Sequence, residues 1–334
     1  MTNTGSLSAF PTLLSLTACI LCTVSAGCAL AAARAPGKIP VILDTDIGDD
    51  IDDTWALALL LKSPEVDLRL VVGDQGKSLY RAKLIAKLLE VAKRTDVPVG
   101  IGIDPKDGVG GQAEWVKDYR LESYPGKVHA DGVQAIIDTI MKSSTPVTLI
   151  AIGPVPNLMA ALEREPRIAQ KARFVGMHGS VRKGYGGKNT IDAEYNVKAN
   201  AKACQKVFTA AWEMTITPLD TCGLVHLRGE KFKTVRDSTD PLAAALIENY
   251  RLWAKKQRKE DLDASSTLFD TVAVYLAFAD ALCKMETLGI RVADDGRTLI
   301  DEKAKTMRVA TEWKDLAAFE DLLVKRLTGP APQP

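Results

Sequence analysis

The sequence predicts a single α/β domain with a mostly parallel central sheet flanked by helices, a Rossmann-like core. Three observations predict it. Short apolar runs rich in Val, Ile and Leu alternate with stretches of helical length and helical apolar spacing. Those runs lack the polar alternation of a half-exposed strand, as strands covered on both faces do. At 334 residues, 46% apolar and 25% charged, the chain can bury a large core and has no disorder-prone bias.

Residues 39–43 (Ile-Pro-Val-Ile-Leu) read as the first strand, and 55–61 as a buried helix behind an Asp-rich turn. Residues 68–72 form the next strand, closed by Gly73 and Asp74. Leu79, Ala82, Ile85, Ala86 and Leu89 recur at helical spacing over 78–93, and 97–101 is a third strand. Residues 104–127, rich in Gly and charge, read as a long loop or flap. Helix 131–142 then leads into strand 147–152, and helix 157–164 into strand 174–177. This rhythm means parallel strands joined by helical crossovers. Near the C-terminus, 290–292 and 306–309 flank Asp294-Asp295-Gly296, a hairpin pattern, and 329–334 read as a disordered tail.

Lys and Arg total 43 against 42 Asp and Glu, a net charge of +1, which gives no electrostatic case for a nucleic-acid partner. The first 33 residues hold no charged side chain. Residues 13–24 suit the apolar core of an export signal, and Ala29-Leu30-Ala31 fits its cleavage pattern. The expectation is a signal peptide over 1–33, a domain over 34–328 and a periplasmic or extracellular location. Ser25-Ala26-Gly27-Cys28 partly resembles a lipoprotein box, making Cys28 a candidate lipid anchor. Without that segment only Cys204, Cys222 and Cys283 remain, an odd number lacking metal-ligand spacing.

The chemistry concentrates in residues 44–53, where Asp44, Asp46, Asp49, Asp50, Asp52 and Asp53 follow the first strand. Parallel sheets present their ligand crevice there. So many like charges require a counter-charge, or several pKa values must rise. No Lys or Arg lies within the cluster, so a divalent cation is the simplest solution. Oxygen-only ligands indicate Ca²⁺ or Mg²⁺ rather than Zn²⁺. A solvated loop capping the helix through Asp52 or Asp53 explains one or two of these residues, not six. An EF-hand is excluded, because its sixth and twelfth positions would be Asp49 and Trp55 instead of Gly and Glu. A phosphatase using Asp44 as nucleophile is an alternative, weakened by Gly48 where that type usually carries Thr or Val.

These residues resemble the inosine–uridine-type nucleoside hydrolases, whose hallmark D-x-D-x-G-x-D-D-x-x-A follows the first strand. Asp44-Thr45-Asp46-Ile47-Gly48 and Asp52-Asp53-Thr54-Trp55-Ala56 are similar to its two halves. Two extra residues lie between them, so Asp50 is an alternative counterpart for one member of the Asp pair. The resemblance continues in order through Val71-Val72-Gly73-Asp74, Ile152-Gly153-Pro154 with Asn157-Leu158, and Phe174 to Gly179. It ends with Ala193-Glu194-Tyr195-Asn196 and Leu268 to Val274.

The resemblance implies a Ca²⁺-dependent hydrolase that cleaves the N-glycosidic bond of ribonucleosides or related N-ribosides. Asp46, Asp53, Asp270 and the main-chain carbonyl of Ile152 would hold the metal, with Asp46 also the general base toward water. Asp52, Asp74, Glu194 and Asn196 would hold the ribose, Asp74 standing where the family has Asn. A homodimer or homotetramer is also implied. Phe269 departs from the pattern: purine-cleaving members carry a His there to protonate the leaving base, and Phe has no proton to donate. His178, at a strand end, and Tyr185 or Tyr195 are the other candidate donors; His129 and His226 read as structural. A nucleoside- or ribose-binding protein without turnover is therefore the alternative.

Overall fold

The computed structural model describes residues 1, 37–103, 108–258 and 262–330. The expected signal segment with Cys28, and the last four residues of the expected tail, lie outside them. From the N-terminal side, the chain forms β1 (Ile39–Thr45), α1 (Asp52–Leu61), β2 (Val66–Gly73), α2 (Ser78–Val91), β3 (Val99–Gly100) and β4 (Val128–His129). It continues through α3 (Gly132–Lys142), β5 (Val147–Ala151), α4 (Pro156–Arg164) and β6 (Ala172–Met177). Next come α5 (Tyr195–Ala199), α6 (Ala201–Thr209), β7 (Met214–Thr217), α7 (Gly229–Arg236), α8 (Pro241–Lys256) and α9 (Phe269–Leu276). The last elements are β8 (Cys283–Val292), β9 (Thr298–Ile300), β10 (Thr306–Trp313) and α10 (Leu316–Thr328).

The strands form one sheet in the order β4-β3-β2-β1-β5-β6-β7-β10-β8-β9. Pairing is parallel from β4 through β10 and antiparallel only where β8 meets β10 and β9. The predicted architecture is thus the observed one. Alternation along each strand splits the core into two layers. Val41 and Leu43 of β1 face a layer with α1, α2, α8, α9 and α10, while Ile42 faces α3, α4 and α6. All ten residues of α1 are buried, because α8, α9 and α10 pack over it.

Two local expectations need correction. The described part of 104–127 is the expected long loop, but it is packed down onto the domain rather than standing off it as a flap. Short 3₁₀ turns at Ala113–Val116 and Leu121–Ser123 bury Trp115, Val116, Leu121 and Tyr124. The Gly111 N–H donates to the Gly48 carbonyl at 2.8 Å, tying this segment to the acidic loop. The C-terminal hairpin closes differently too. The Asp294-Asp295-Gly296 turn joins β8 to β9, and β10 pairs with β8 from its other side. Thr306 aligns with Gly289, so the second half of the expected hairpin is a ladder partner reached after another turn.

Candidate active site

The strand order reverses at β1, which has β2 on one side and β5 on the other. At such a switch point the flanking loops part and leave a crevice at the strands' carboxyl ends. Here the loops after β1, β5 and β6 and the starts of α5 and α9 enclose a cavity of about 340 Å³.

Its acidic side is built from two packed helix starts. Asp52 and Asp53 open α1, and Asp270 lies in the first turn of α9. Each offers a carboxylate oxygen, and the three oxygens lie within 4.8 Å of one another. All three side chains are buried. Burial pushes each pKa well above the carboxylate range, helped by Asp50 at Asp52, by Asp46 at Asp53 and by Asp52 at Asp270. Asp46, also lining the cavity, is raised by burial to about 6, with Arg81 pulling it back. The α1 N-cap position is Ile51, with no side-chain cap, so neither Asp52 nor Asp53 serves as a helix cap. A buried, all-oxygen donor set of crowded carboxylates fits a hard divalent cation. Thr45 orients that set by donating its hydroxyl to Asp53 at 2.5 Å.

The counter-charge absent from the cluster's own sequence arrives from α2. The buried guanidinium of Arg81 donates to the carbonyls of Asp46 and Ile47, to Asp49 at 2.9 Å, and to Gln75 and Gly76 carbonyls. Lys77 adds a second ion pair to Asp49 at 2.5 Å. Gln75, Gly76 and Lys77 all have positive φ, a left-handed turn that aims Lys77 and α2 back at the loop. Sequence reasoning missed this pair. The signal was Lys77 and Arg81 four apart at a helix start, just after the second strand's carboxyl end. Gly48 has φ +113°, and a Cβ there would stand 2.5 Å from the Tyr80 ring, so the close approach of α2 requires glycine.

The structure brings most of the expected site residues together. Asp46, Asp52, Asp53, Ile152, Glu194, Asn196 and Asp270 all line the cavity, as does the alternative Asp50. Glu194 caps α5, accepting from the Asn196 and Val197 N–H groups and from that of Gly179. Burial nonetheless lifts its pKa to about 7. The Asn196 amide donates to the Ile152 carbonyl at 3.3 Å and to that of Met177 at 3.0 Å. Asp74 is not among the lining residues. It is fully buried, and its carboxylate accepts from the Val155 N–H at 3.0 Å.

Asp44 is equally sealed, with one oxygen held by Asn157 at 2.7 Å, so it has no access to act as a phosphatase nucleophile. His178 is fully buried between Phe174 and Phe208, outside the cavity lining, its Nε2 3.1 Å from the Gly153 carbonyl. Burial depresses its pKa to about 4, which leaves a neutral structural imidazole. Phe269, Tyr185 and Tyr195 do line the cavity.

The family model for inosine-uridine preferring nucleoside hydrolases matches residues 41–321. The chain belongs to this family. Among its relatives, the non-specific ribonucleoside hydrolase RihC of Klebsiella pneumoniae is 30% identical over 226 residues, covering 64% of this chain and 73% of its own. The pyrimidine-specific ribonucleoside hydrolase RihA of Escherichia coli is 26% identical over 234 residues, covering 66% and 74%. A plant nucleoside hydrolase shares the fold with a TM-score of 0.75 at 23% identity, over 88% of this chain and 100% of its own. A purine-preferring ribonucleoside hydrolase from Gardnerella vaginalis gives 0.70 at 25% identity, over 87% and 98%. Membership makes this nucleoside hydrolase family protein an N-ribosyl hydrolase, and the family is metal-dependent. The buried Asp52–Asp53–Asp270 cluster is where this member could bind its metal.

Proposed function

We propose that the protein is a Ca²⁺-dependent hydrolase releasing base and ribose from ribonucleosides or related N-ribosides. The observation that carries this reading is the buried carboxylate cluster in the cavity shared with Asp46, Glu194 and Asn196. Asp53 and Asp270 of that cluster, with Asp46 and the Ile152 carbonyl from the same cavity lining, would hold the ion, leaving the cluster's third carboxylate, Asp52, to the ribose; the ion when bound acidifies and aligns the attacking water. Asp46 takes the proton from that water as it attacks the anomeric carbon. Asp52, Glu194 and Asn196 hold the ribose hydroxyls. Positive charge grows on the ribose as the C–N bond breaks, and the surrounding carboxylates stabilise it. The uncharged apolar stretch within residues 1–33 supports action outside the cytoplasm, with Cys28 a candidate point of lipid attachment. The family resemblance supports a homodimer or homotetramer.

The test is ribose release from purine and pyrimidine nucleosides with Ca²⁺, after chelation, and after Ca²⁺ or Mg²⁺ is restored. Activity should vanish on chelation and return best with Ca²⁺. Asp46→Asn should lower kcat by about 10²–10⁴-fold, the usual contribution of a general base, while circular dichroism stays unchanged. Chelator-insensitive turnover, or no ribose from any N-riboside, rejects the proposal.

A further inference from the structure

The wall of the cavity beside Asp270 is aromatic and holds no cationic side chain. Phe269 and Tyr185 meet edge to face there, ring centroids 6.1 Å apart at 82°. Tyr195 joins them in the lining, and its N–H donates to the Tyr185 hydroxyl oxygen at 2.9 Å. Apart from these two tyrosines, every ionisable side chain among the described lining residues is a carboxylate: seven carboxylates, with no His, Lys or Arg. Arg81 and Lys77 stand outside the lining, tied to Asp49.

This lining treats two kinds of N-riboside differently. When the base is neutral, the electron pair of the broken C–N bond would leave it as an anion unless a proton arrives. Phe269 brings none, and burial raises the Tyr185 pKa far above its ordinary value, so that hydroxyl holds its proton tightly. An anion forming among carboxylates without a strong acid is disfavoured. When the base is already a cation, the same electron pair neutralises it. Aromatic faces, and the lining carboxylates that neither the metal nor Arg81 and Lys77 neutralise, attract such a cation before cleavage.

We propose that the preferred substrates are N-ribosides with a cationic base, such as a pyridinium or an N7-alkylated purine, so that the base departs as a neutral molecule. The proposal rests on the N-ribosyl hydrolase reading above. The step balances: the C–N bond breaks with its electron pair going to the ring nitrogen, and water oxygen bonds to the anomeric carbon. The water proton passes through Asp46 to solvent, giving ribose, neutral base and one H⁺.

The test compares matched pairs on the purified protein with Ca²⁺: 7-methylguanosine against guanosine, and nicotinamide riboside against its neutral dihydro form. Nitrophenyl riboside, whose leaving group departs as a stabilised anion, reports on the ribose and metal side without calling for a general acid. The cationic member of each pair should have a kcat/KM at least about 100-fold higher, the lower end of what a general acid supplies. Phe269→His should raise kcat on guanosine and shrink that ratio by about tenfold or more. Cleavage of nitrophenyl riboside with equal or better rates on the neutral members overturns this proposal and leaves the hydrolase reading standing. No cleavage of any riboside, nitrophenyl riboside included, overturns the hydrolase reading and this proposal with it.

Discussion

Arg81 holds the Asp49 carboxylate at 2.9 Å with the same guanidinium that grips the Asp46 main chain. The acidic loop is therefore fixed from α2, and the residue that Arg81 grips lies in the stretch between Gly48 and the Asp52–Asp53 pair that is two residues longer than in the family hallmark. Replacing Arg81 by Met should cost about 2–4 kcal/mol, because buried carbonyls lose their donors and Asp49 loses a partner. Ca²⁺ affinity, read by calorimetry, should fall about 10–100-fold, as for other residues that orient metal ligands. Arg81→Lys should recover part of the stability but little of the affinity, since an ammonium cannot span five acceptors.

Thr45→Val tests ligand orientation at the Asp53 carboxylate. The substitution removes one buried hydroxyl donor and keeps the shape of the side chain, so thermal stability should fall by about 1–2 kcal/mol. Ca²⁺ should bind at least about tenfold more weakly, and KM for riboside at saturating Ca²⁺ should change little. Unchanged affinity would show that Asp53 needs no help from Thr45.

Metal-free protein should be more stable in acid than at neutral pH. The Glu194 pKa is raised by burial from 4.5 to about 7. A carboxyl held above its unfolded value favours folding fully below about pH 4.5, and that contribution is lost as pH rises through about 7. Glu194 alone accounts for up to about 3 kcal/mol over that window. Asp74, raised by burial to about 7, works in the same direction. Denaturant midpoints with chelator at pH 5 and 8 should show the fall, and Glu194→Gln should flatten it.

His178→Leu should separate packing from catalysis. The imidazole meets the Gly153 carbonyl and two Phe rings and does not line the cavity. Stability should drop by about 1–3 kcal/mol as the carbonyl loses its partner. The shape of the kcat pH profile should not change. Loss of one limb of that profile would return His178 to the role of proton donor.

Much of this was legible in the chain itself. The β1–α1 boundary and the alternation of strands and helices through β6 follow from apolar runs and turn chemistry, while the family resemblance singled out Asp46, Asp53, Asp270, Glu194 and Asn196, which the fold brings to one cavity. The C-terminal half was harder to read. β7 is four residues long and α5 five, too short to establish a period. The 104–127 segment has the composition of a loop, yet Gln112, Trp115 and Tyr124 bury it against α2 and the acidic turn.

The sequence by itself determined the α/β class, the concentration of carboxylate after the first strand and a side chain without a proton to donate at Phe269, because each depends on residue type and local order. Only the tertiary structure decided which carboxylates meet, that Arg81 and Lys77 supply the loop's counter-charge, that Asp74 and Asp44 lie outside the cavity, and that His178 is sealed. Those outcomes depend on which loops converge at the β1 switch point and on what each side chain exchanges for water there. Desolvation and distance belong to the folded chain, and no linear spacing encodes them.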